Sequence, residues 1–477
     1  MIETTGPLVL ILVPMLTGVL AYVLRRWRSV PPILGASVTL LLGLILVLLP
    51  SGQSFEIAGQ EIALEQSVDV LGRALVLQPS DRPAMGYLFF TAAALFLAAW
   101  RFDRGGLFVP MGLGMLGLLC GVLVVHPLIY AVLFFQIAVV LSVFPLYAEE
   151  DTPVRGGLRY LTFYILALPG LMISHWLLDL YVYSPDQVSL LETATILIGF
   201  SFVLMLGLVP FHAWVPAIGS DGAPLMSAFL YTAMTGGVWF LLFEYLRAYP
   251  WLAEHGEWQS LLTVLGVATA VVGGLLGAVR RSPGTLIGYI VMVDTGLSVV
   301  ALGDASQRSV GAIVLLLFAR TVGAVLMTAG LEGLRSKRDA SAELPDGVGW
   351  KAPWSTAAVL IGGLSLVGLP PTVGFAARWA LLTTVARSNP IIGLVLLMAS
   401  IAPVVGLIQW VVKLLRRPRQ LPGVELEEAV PPIPSVREPV ADVAVLLVFV
   451  AATFLLGVFP QWIAAAADDL ARYMALF

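Results

Sequence analysis

Fourteen apolar runs dominate this sequence, and each is long enough to cross a lipid bilayer as a helix. A transmembrane helix needs about 20 mostly apolar residues. Lipid cannot satisfy backbone polar groups, so a spanning segment of this length forms a helix with internal hydrogen bonds. The chain is therefore predicted to be an all-α, polytopic membrane protein. The predicted spans, numbered in order, are residues 8–24, 32–50, 84–100, 107–125, 127–147, 158–180, 192–218, 223–247, 260–279, 284–302, 309–332, 354–385, 389–414 and 440–462.

The composition supports this class and argues against several others. Hydrophobic residues make up 59% of the chain and charged residues only 12%, whereas soluble proteins carry about 25% charged residues. The formal net charge of −4 gives no basic surface for nucleic acid. A single cysteine excludes an intrachain disulfide framework, and the four histidines are too scattered in the sequence to form a ligand cluster. They also predict no metal cluster and no cofactor bound by this chain.

Lysine and arginine are divided unevenly between alternate loops. Eighteen fall in the loops of one side and six in the loops of the other. The positive-inside rule makes the richer side cytoplasmic. With fourteen spans, both termini then lie on the outer side, which is the periplasmic side of a bacterial inner membrane. The first run follows an acidic start without a cleavage site, so we expect it to be retained as a span.

Two runs are too long for one helix and contain helix breakers. They are residues 192–218, with Pro210, and residues 354–385, with Pro370 and Pro371. A proline frees a backbone carbonyl and kinks a helix, and interrupted spans at corresponding positions of two halves indicate a transport path. The breaks are five spans apart, an odd number, which predicts two units inserted with opposite orientation. A pair of ordinary kinked helices would give the same spacing.

The interpretation as an inverted repeat divides the chain into four parts. Residues 1–106 hold the first three helices, and residues 107–247 form a first five-helix repeat, helices 4–8, with broken helix 7. Residues 260–414 form the second repeat, helices 9–13, with broken helix 12. Residues 415–477 hold a cytoplasmic loop and helix 14. No segment is predicted to fold as a separate soluble domain.

Three charged residues fall inside predicted spans, where a charge costs roughly 2.5–3.5 kcal/mol on insertion scales. Asp294 in span 10 and Arg320 in span 11 lie roughly 16 Å and 20 Å from the cytoplasmic ends of their helices, at about 1.5 Å per residue. They can therefore pair. Arg378 follows the break in span 12. Each of the three is a candidate for a proton path. The alternatives are a structural ion pair for Asp294 and Arg320 and a snorkelling side chain for Arg378.

Uncharged and weakly basic residues provide further candidates. Gln136, in the middle of span 5, can serve a proton path or an interhelical hydrogen bond. His212, at the break of span 7, can exchange protons near neutral pH or cap the broken helix. For His175 and Glu244, toward the outer ends of spans 6 and 8, contact with lipid headgroups is the simpler expectation.

Four stretches carry a recognisable pattern. They are GLVPFHAWVPAIGSDGAPLMSAFLYTAMTGGVWFLL (207–242), LIGYIVMVDTGLSVVALG (286–303), LVGLPPTVGFAARWALL (366–382) and VLFFQIAVVLSVFPLY (132–147). Together they resemble the motifs of the antiporter-like membrane subunits of proton-pumping NADH:quinone oxidoreductase (respiratory complex I), membrane-bound hydrogenases and Mrp-type cation/proton antiporters. The resemblance covers roughly residues 84–415. It implies fourteen helices, two inverted five-helix repeats, broken helices 7 and 12, and a central chain of acidic and lysine residues that carries protons.

This chain departs from that pattern in its first half. Gln136 stands where the family has a helix-5 glutamate, and Met205 stands where it has a helix-7 lysine. The family's helix-8 lysine or histidine falls between Phe229 and Met234, and neither of these residues ionises. By this comparison the first half-channel lacks the Glu–Lys pair that its relatives use.

The second half keeps charges but changes their kind. Arg378 retains the family's helix-12 charge, Arg320 lies near its helix-11 lysine, and Asp294 occupies a position that is usually neutral. Arginine stays protonated in proteins. It can shape the electric field at such a site but cannot readily pass a proton on.

Two functions remain open. The favoured one is a membrane-arm subunit of a complex-I-like ion-translocating assembly, with other membrane and redox subunits as partners. Within that assembly the chain either translocates protons itself or is a non-pumping, structural or coupling paralogue. The other is the proton- or cation-conducting half of a secondary transport system, such as inorganic-carbon uptake. No nucleophile–base pair or phosphate-binding loop is visible. We therefore predict no catalytic site in this chain, whose redox chemistry would belong to partner subunits.

Overall fold

The structure is a computed structural model that describes residues 6–49, 54–57, 60–63, 67–70, 72–103, 106–147, 155–254, 256–279, 282–303, 307–335, 347–416 and 438–473. Helices account for most of these residues. The helices are α1 (Gly6–Val23), α2 (Val30–Leu48), α3 (Asp81–Phe102), α4 (Phe108–Val124), α5 (Leu128–Leu146), α6 (Arg155–Tyr183), α7 (Val188–Leu206), α8 (Trp214–Asp221), α9 (Pro224–Phe229), α10 (Thr235–Ala248), α11 (Trp251–Glu254), α12 (Gly256–Val279), α13 (Pro283–Leu302), α14 (Gln307–Leu334), α15 (Pro353–Val367), α16 (Val373–Ser388), α17 (Pro390–Ile401), α18 (Pro403–Leu415), α19 (Val440–Val458) and α20 (Gln461–Tyr473).

The predicted runs form helices, and the chain is an integral membrane protein of the all-α class. Twelve helices in the described ranges are long and apolar enough to cross a bilayer. The shorter apolar helices α4 and α15 coincide with the fourth predicted run and the first half of the twelfth. At 17 and 15 residues they are shorter than a usual span, so the total of fourteen stays a prediction. Most of the loop predicted between helices 13 and 14 lies outside the described residues.

Both predicted breaks are present, and they share one backbone design. α7 and α15 each end at a glycine in the left-handed region, Gly207 at φ 65° and Gly368 at φ 82°. In each case the N–H of the following residue donates to the carbonyl five residues back, at 3.1 Å and 3.0 Å. This is the Schellman ending of a helix, which favours glycine because a Cβ is strained there. The chain then restarts as α8 and α16.

The helices differ sharply in how much of their surface faces other helices. Over 18-residue windows, the span built from α9, a π-helical turn (Leu230–Met234) and α10 is 100% buried, and α13 and α14 are 94% and 89% buried. The corresponding values for α1 and α19 are 28% and 22%. The peripheral helices therefore present apolar side chains to lipid, while polar groups on α13 and α14 face protein.

Two features outside the spans were not part of the sequence prediction. Short antiparallel strands pair as β1 (Ser54–Ile57) with β2 (Gln60–Ala63), and as β3 (Val68–Val70) with β4 (Arg73–Leu75) and then β5 (Val125–His126). The second sheet joins the segment before α3 to the turn between α4 and α5. After α19, the amphipathic helix α20 packs its alanine face, including Ala467 and Ala471, against the protein.

Candidate functional site

The structure brings three of the candidate residues together in one buried cluster. Asp294 on α13 lies with its Oδ2 3.3 Å from Nε of Arg320 on α14. Its Oδ1 lies 2.5 Å from Nη2 of Arg378 on α16. Relative exposures are 1%, 2% and 3% for Asp294, Arg320 and Arg378. The cluster thus links three helices through one carboxylate, deep among residues that water and headgroups do not reach.

Arg378 also closes the end of a broken helix. Its Nη1 donates to the carbonyl of Val367, the last residue of α15, at 2.7 Å, and to that of Ser400 at 3.4 Å. The last carbonyls of a helix lack partners within it and carry the negative end of its dipole, so a cation is favourable there. Ser400 lies in the last turn of α17, just before α18 begins at Pro403. Arg378 is therefore not a snorkelling side chain, because these inward contacts hold it.

Arg320 reaches a second irregular stretch of backbone. Its Nη1 donates to the carbonyl of Tyr231 at 3.4 Å. That residue lies in the π-helical turn, where the wider helix leaves carbonyls available to side chains, and such turns are frequent at functional sites. The neighbouring carbonyl of Thr232 accepts from Tyr87 Oη on α3 at 3.2 Å. Tyr87 in turn contacts Thr321 Oγ1 at 3.2 Å, which extends a polar network across α3 and α14.

Sequence reasoning missed the π-helical turn and this hydroxyl network. Proline and glycine mark the breaks in the sequence, whereas the π-helical turn has neither. The available signal was the spacing of Tyr87 and Thr91, which puts two hydroxyl groups on one face of a predicted span. Thr91 Oγ1 lies 3.4 Å from Thr321 Oγ1, next along the chain from Arg320.

The cluster carries a net charge of +1, from two guanidinium groups and one carboxylate. Arg320 Nη2 and Arg378 Nε are buried without a hydrogen-bond partner in the described part of the chain. The contact between Arg378 Nη2 and Asp294 is close enough for an ion pair but lacks hydrogen-bond geometry. Such an arrangement can fix helices and hold a positive charge. Because arginine keeps its proton, the guanidinium groups cannot relay one.

The first break has the same backbone but a neutral filling. The free carbonyl of Met205 accepts from Tyr164 Oη at 2.9 Å, and that of Leu204 accepts from Trp214 Nε1 at 3.3 Å. The rings of Tyr160, Tyr164 and Trp214 pack with centroids 4.5–5.4 Å apart. The described contacts of Met205 include no carboxylate and no lysine. Aromatic side chains thus occupy the break where relatives are expected to carry a lysine.

The other two candidates lie apart from the charge cluster. Gln136 is half-buried on α5 and makes no hydrogen bond with any described residue. His212 lies between α7 and α8, half-buried, and its Nδ1 is buried without a hydrogen-bond partner among the described residues. Ala213, not His212, is the N-cap of α8, and no side chain caps that helix. His212 therefore does not cap the start of α8.

Two expectations at the outer ends of the spans are also wrong. Glu244 and His175 do not face headgroups, since they are only 5% and 7% exposed. Glu244 Oε2 pairs with Arg247 Nη2 at 2.5 Å, and Arg247 Nη1 donates to Ser80 Oγ at 2.9 Å. His175 Nε2 lies 2.8 Å from Tyr245 Oη. Every residue in an 18-residue window of the span containing α10 is buried, and cover by neighbouring helices extends to Glu244 and Tyr245, three residues before α10 ends at Ala248.

Comparison with known proteins places this architecture among membrane subunits. Residues 191–402, which hold both breaks and the charge cluster, match the family described as "NADH:quinone oxidoreductase/Mrp antiporter, TM". NADH-quinone oxidoreductase subunit N of Deinococcus radiodurans is 30% identical over 199 residues, which are 41% of this chain and 39% of that protein. Subunit N 2 of Acidobacterium capsulatum is 26% identical over 296 residues, 58% of this chain and 56% of that protein. The chain thus spans about half the length of the curated relatives it matches.

Solved structures share the fold over nearly the whole chain. A chain of respiratory complex I from Thermus thermophilus matches with a TM-score of 0.75 and 21% identity, covering 98% of this chain and 99% of that one. A chain of the Mrp complex from Dietzia sp. DQ12-45-1b matches with a TM-score of 0.80 and 16% identity, covering 98% and 97%. Residues 191–402 of this chain, somewhat less than half of its length, are thus similar to the transmembrane subunits described as NADH:quinone oxidoreductase/Mrp antiporter, and the chain as a whole shares the fold of subunits in such complexes.

Proposed function

We propose that this protein is a membrane-arm subunit of a complex-I-like, ion-translocating assembly, and that it holds a fixed positive charge in place of its own proton relay. The observation that carries the proposal is the contrast between the two breaks. One is filled by Tyr160, Tyr164 and Trp214, and the other is bound by Arg378. Neither arrangement supplies the lysine that gains and loses a proton when burial lowers its pKa.

A fixed charge suits a structural or coupling role. A proton or cation approaching a net charge of +1 in a low-dielectric interior is repelled. The contacts of Asp294 with Arg320 and Arg378 join α13, α14 and α16 at the same place. The chain would then transmit or resist movement within an assembly, while other subunits carry the ions.

The assembly, orientation and repeat layout form part of the same proposal. Partners would be other membrane subunits and, beyond them, redox subunits that supply the catalytic chemistry. Location in a bacterial inner membrane with both termini on the periplasmic side rests on the distribution of lysine and arginine. The shared Schellman endings support residues 107–247 and 260–414 as inverted repeats, flanked by residues 1–106 and 415–477.

Purification under native conditions tests the assembly. We expect a tagged chain, extracted in mild detergent, to co-purify with several complex-I-like membrane subunits and with iron–sulfur or flavin absorbance. Mass spectrometry and visible spectra would identify both. Isolation of the chain alone, or with one soluble partner and no redox centre, contradicts the assembly.

Proton flux per assembled complex tests the absence of a relay. We expect Arg378→Met and Met205→Leu to leave the number of protons moved per electron unchanged in proteoliposomes, once flux is divided by the amount of intact complex. Met205→Leu is the matched control, because it alters a buried apolar side chain at the other break. Intact Arg378→Met complex with normal electron transfer but fewer protons per electron refutes the proposal.

One observation favours the alternative, a proton- or cation-conducting half of a secondary transport system. Nδ1 of His212 is buried beside the opened backbone of the first break and accepts or donates no hydrogen bond within the described ranges, and imidazole can exchange protons near neutral pH. In that case His212→Gln abolishes proton conductance by the chain with its uptake partner. Under the favoured proposal the same variant leaves flux per complex unchanged.

A further inference from the structure

A basic pocket lies at one end of the first four helices. Its cavity of about 560 Å³ is bounded by the end of α1, the start of α2, the end of α3 and the start of α4. Arg25, Arg26 and Arg28 line it from the connection between α1 and α2. This size falls in the range of sites that hold small organic groups, about 300–1,000 Å³.

The pocket carries an unbalanced positive charge. Among the lining residues that the structure describes, three guanidinium groups and the carboxylate of Asp103 are the charged groups, and their formal charges sum to +2. Within the described ranges, no ion pair joins Arg25, Arg26 or Arg28 to an acidic side chain. Arg25 stacks on the ring of Tyr22 at 4.4 Å, which orients one guanidinium group and leaves its N–H groups available. The walls therefore suit an anion that accepts several hydrogen bonds, such as a phosphate.

The position of the pocket fits a ligand that has apolar chains. Leu16 and Val23 on α1 are 65% and 66% exposed, and Leu41 on α2 is 58% exposed, so these helices present apolar faces to lipid. The arginines follow where the apolar stretch of α1 ends. Trp27 lies between them, 62% exposed, as tryptophans do at the level of lipid headgroups. Acyl chains along α1 and α2 would lead to a headgroup beside the arginines.

We infer that this pocket binds the phosphate headgroup of an anionic phospholipid, with the guanidinium groups of Arg25, Arg26 and Arg28 as its donors. Basic pockets between membrane helices are known to suit such headgroups. A zwitterionic headgroup is expected to bind more weakly, because its own cationic group is repelled by the positively charged arginines. The bound lipid would fix the connection between α1 and α2 against α3 and α4.

Lipid titration of the purified native assembly in detergent tests the site. Native mass spectrometry would follow binding of phosphatidylglycerol, with phosphatidylcholine and inorganic phosphate as separate arms. The test variant is Arg25→Gln/Arg26→Gln/Arg28→Gln. The matched control is Arg308→Gln/Arg387→Gln/Arg472→Gln, which removes the same charge from three exposed arginines away from the pocket. A third variant replaces the pocket arginines by lysine, which keeps the charge if the glutamine variant fails to fold.

We expect the native chain to retain phosphatidylglycerol in preference to phosphatidylcholine. The glutamine variant is expected to weaken that binding roughly fivefold per arginine and on the order of a hundredfold together. The control triple retains it, and the lysine variant binds measurably more weakly than arginine because it loses the forked donors. Equal loss in both glutamine triples overturns the site, as does equal affinity for phosphatidylcholine. Saturation by phosphate alone at similar concentration assigns the pocket to a soluble anion instead, and crosslinking of the arginines to an acidic segment of a partner subunit assigns it to protein.

Discussion

Replacement of Asp294 by asparagine removes the carboxylate that faces two guanidinium groups while preserving side-chain size. The cluster changes from a net charge of +1 to +2, with Arg320 and Arg378 still 2% and 3% exposed. Breaking a buried ion pair from one side costs about 3–5 kcal/mol, because a charge is left without compensation. Asp294 serves two arginines, so we expect the upper part of that range, or roughly three to four powers of ten in the ratio of folded to unfolded protein.

A buried cysteine of the chain can report its unfolding. Cys120 on α4 is fully buried, so a thiol-reactive fluorogenic dye labels it only when the helices separate. Unfolding of the purified chain in mixed micelles of mild and denaturing detergent gives the free energy of unfolding. The native chain and Asp294→Asn are compared under identical micelle compositions.

A second substitution separates charge from shape. Asp294→Asn/Arg378→Met returns the net charge of the cluster to +1 but removes the contacts of Arg378 with Val367 and Ser400. If charge dominates, the double variant loses at least about 1 kcal/mol less than the sum of the two single variants, since coupled neighbours are non-additive. An Asp294→Asn chain as stable as the native one, or strictly additive losses, refutes this reasoning.

Three further substitutions probe the same features. Arg378→Ala is expected to lower the yield of assembled complex several-fold, measured on native gels, while flux per assembled complex stays normal; normal assembly with lost flux contradicts this. Gln136→Leu is expected to be mild, within about 0.5 kcal/mol of native stability because the side chain is half-buried and unbonded, and a large loss of activity would indicate a water-mediated relay in α5. Gly368→Ala is expected to cost about 1–2 kcal/mol from the left-handed backbone and more from the contact of its Cβ with Arg378 Cδ, 2.5 Å away. Gly106→Ala is its control, because Gly106 has φ 67° with nothing within 4 Å of a Cβ, so equal losses would mean that the Arg378 contact contributes nothing.

Sequence patterns predicted the spans well because the bilayer imposes one length and one polarity on every crossing helix. The breaks were also accessible, since proline and glycine mark them directly. The pairing of Asp294 with Arg320 followed from their similar depths in antiparallel helices. These inferences use local chemistry and a single dimension, the depth in the membrane.

The remaining features depend on lateral packing, which depth alone does not specify. Arg378 can point outward or inward at the same depth, and only the arrangement of α13 and α15 around it decides. Glu244 and His175 were misplaced for the same reason, because enclosure of α10 is a property of its neighbours. The π-helical turn adds one residue to a helix without any proline or glycine in its sequence, so no residue type predicts it.

The twin breaks imply different rules for substitution in the two halves of the molecule. Around Trp214 the contacts are aromatic and neutral, so tolerance there depends on the volume and shape of the replacement and little on ionic strength. Around Arg378 a replacement of equal volume without a charge removes the cation that contacts both the Asp294 carboxylate and the last carbonyl of α15. Mutational scanning would therefore show that side-chain size limits the tolerated residues after α7, whereas charge limits them after α15. The two breaks would differ in this way although both use the same backbone turn.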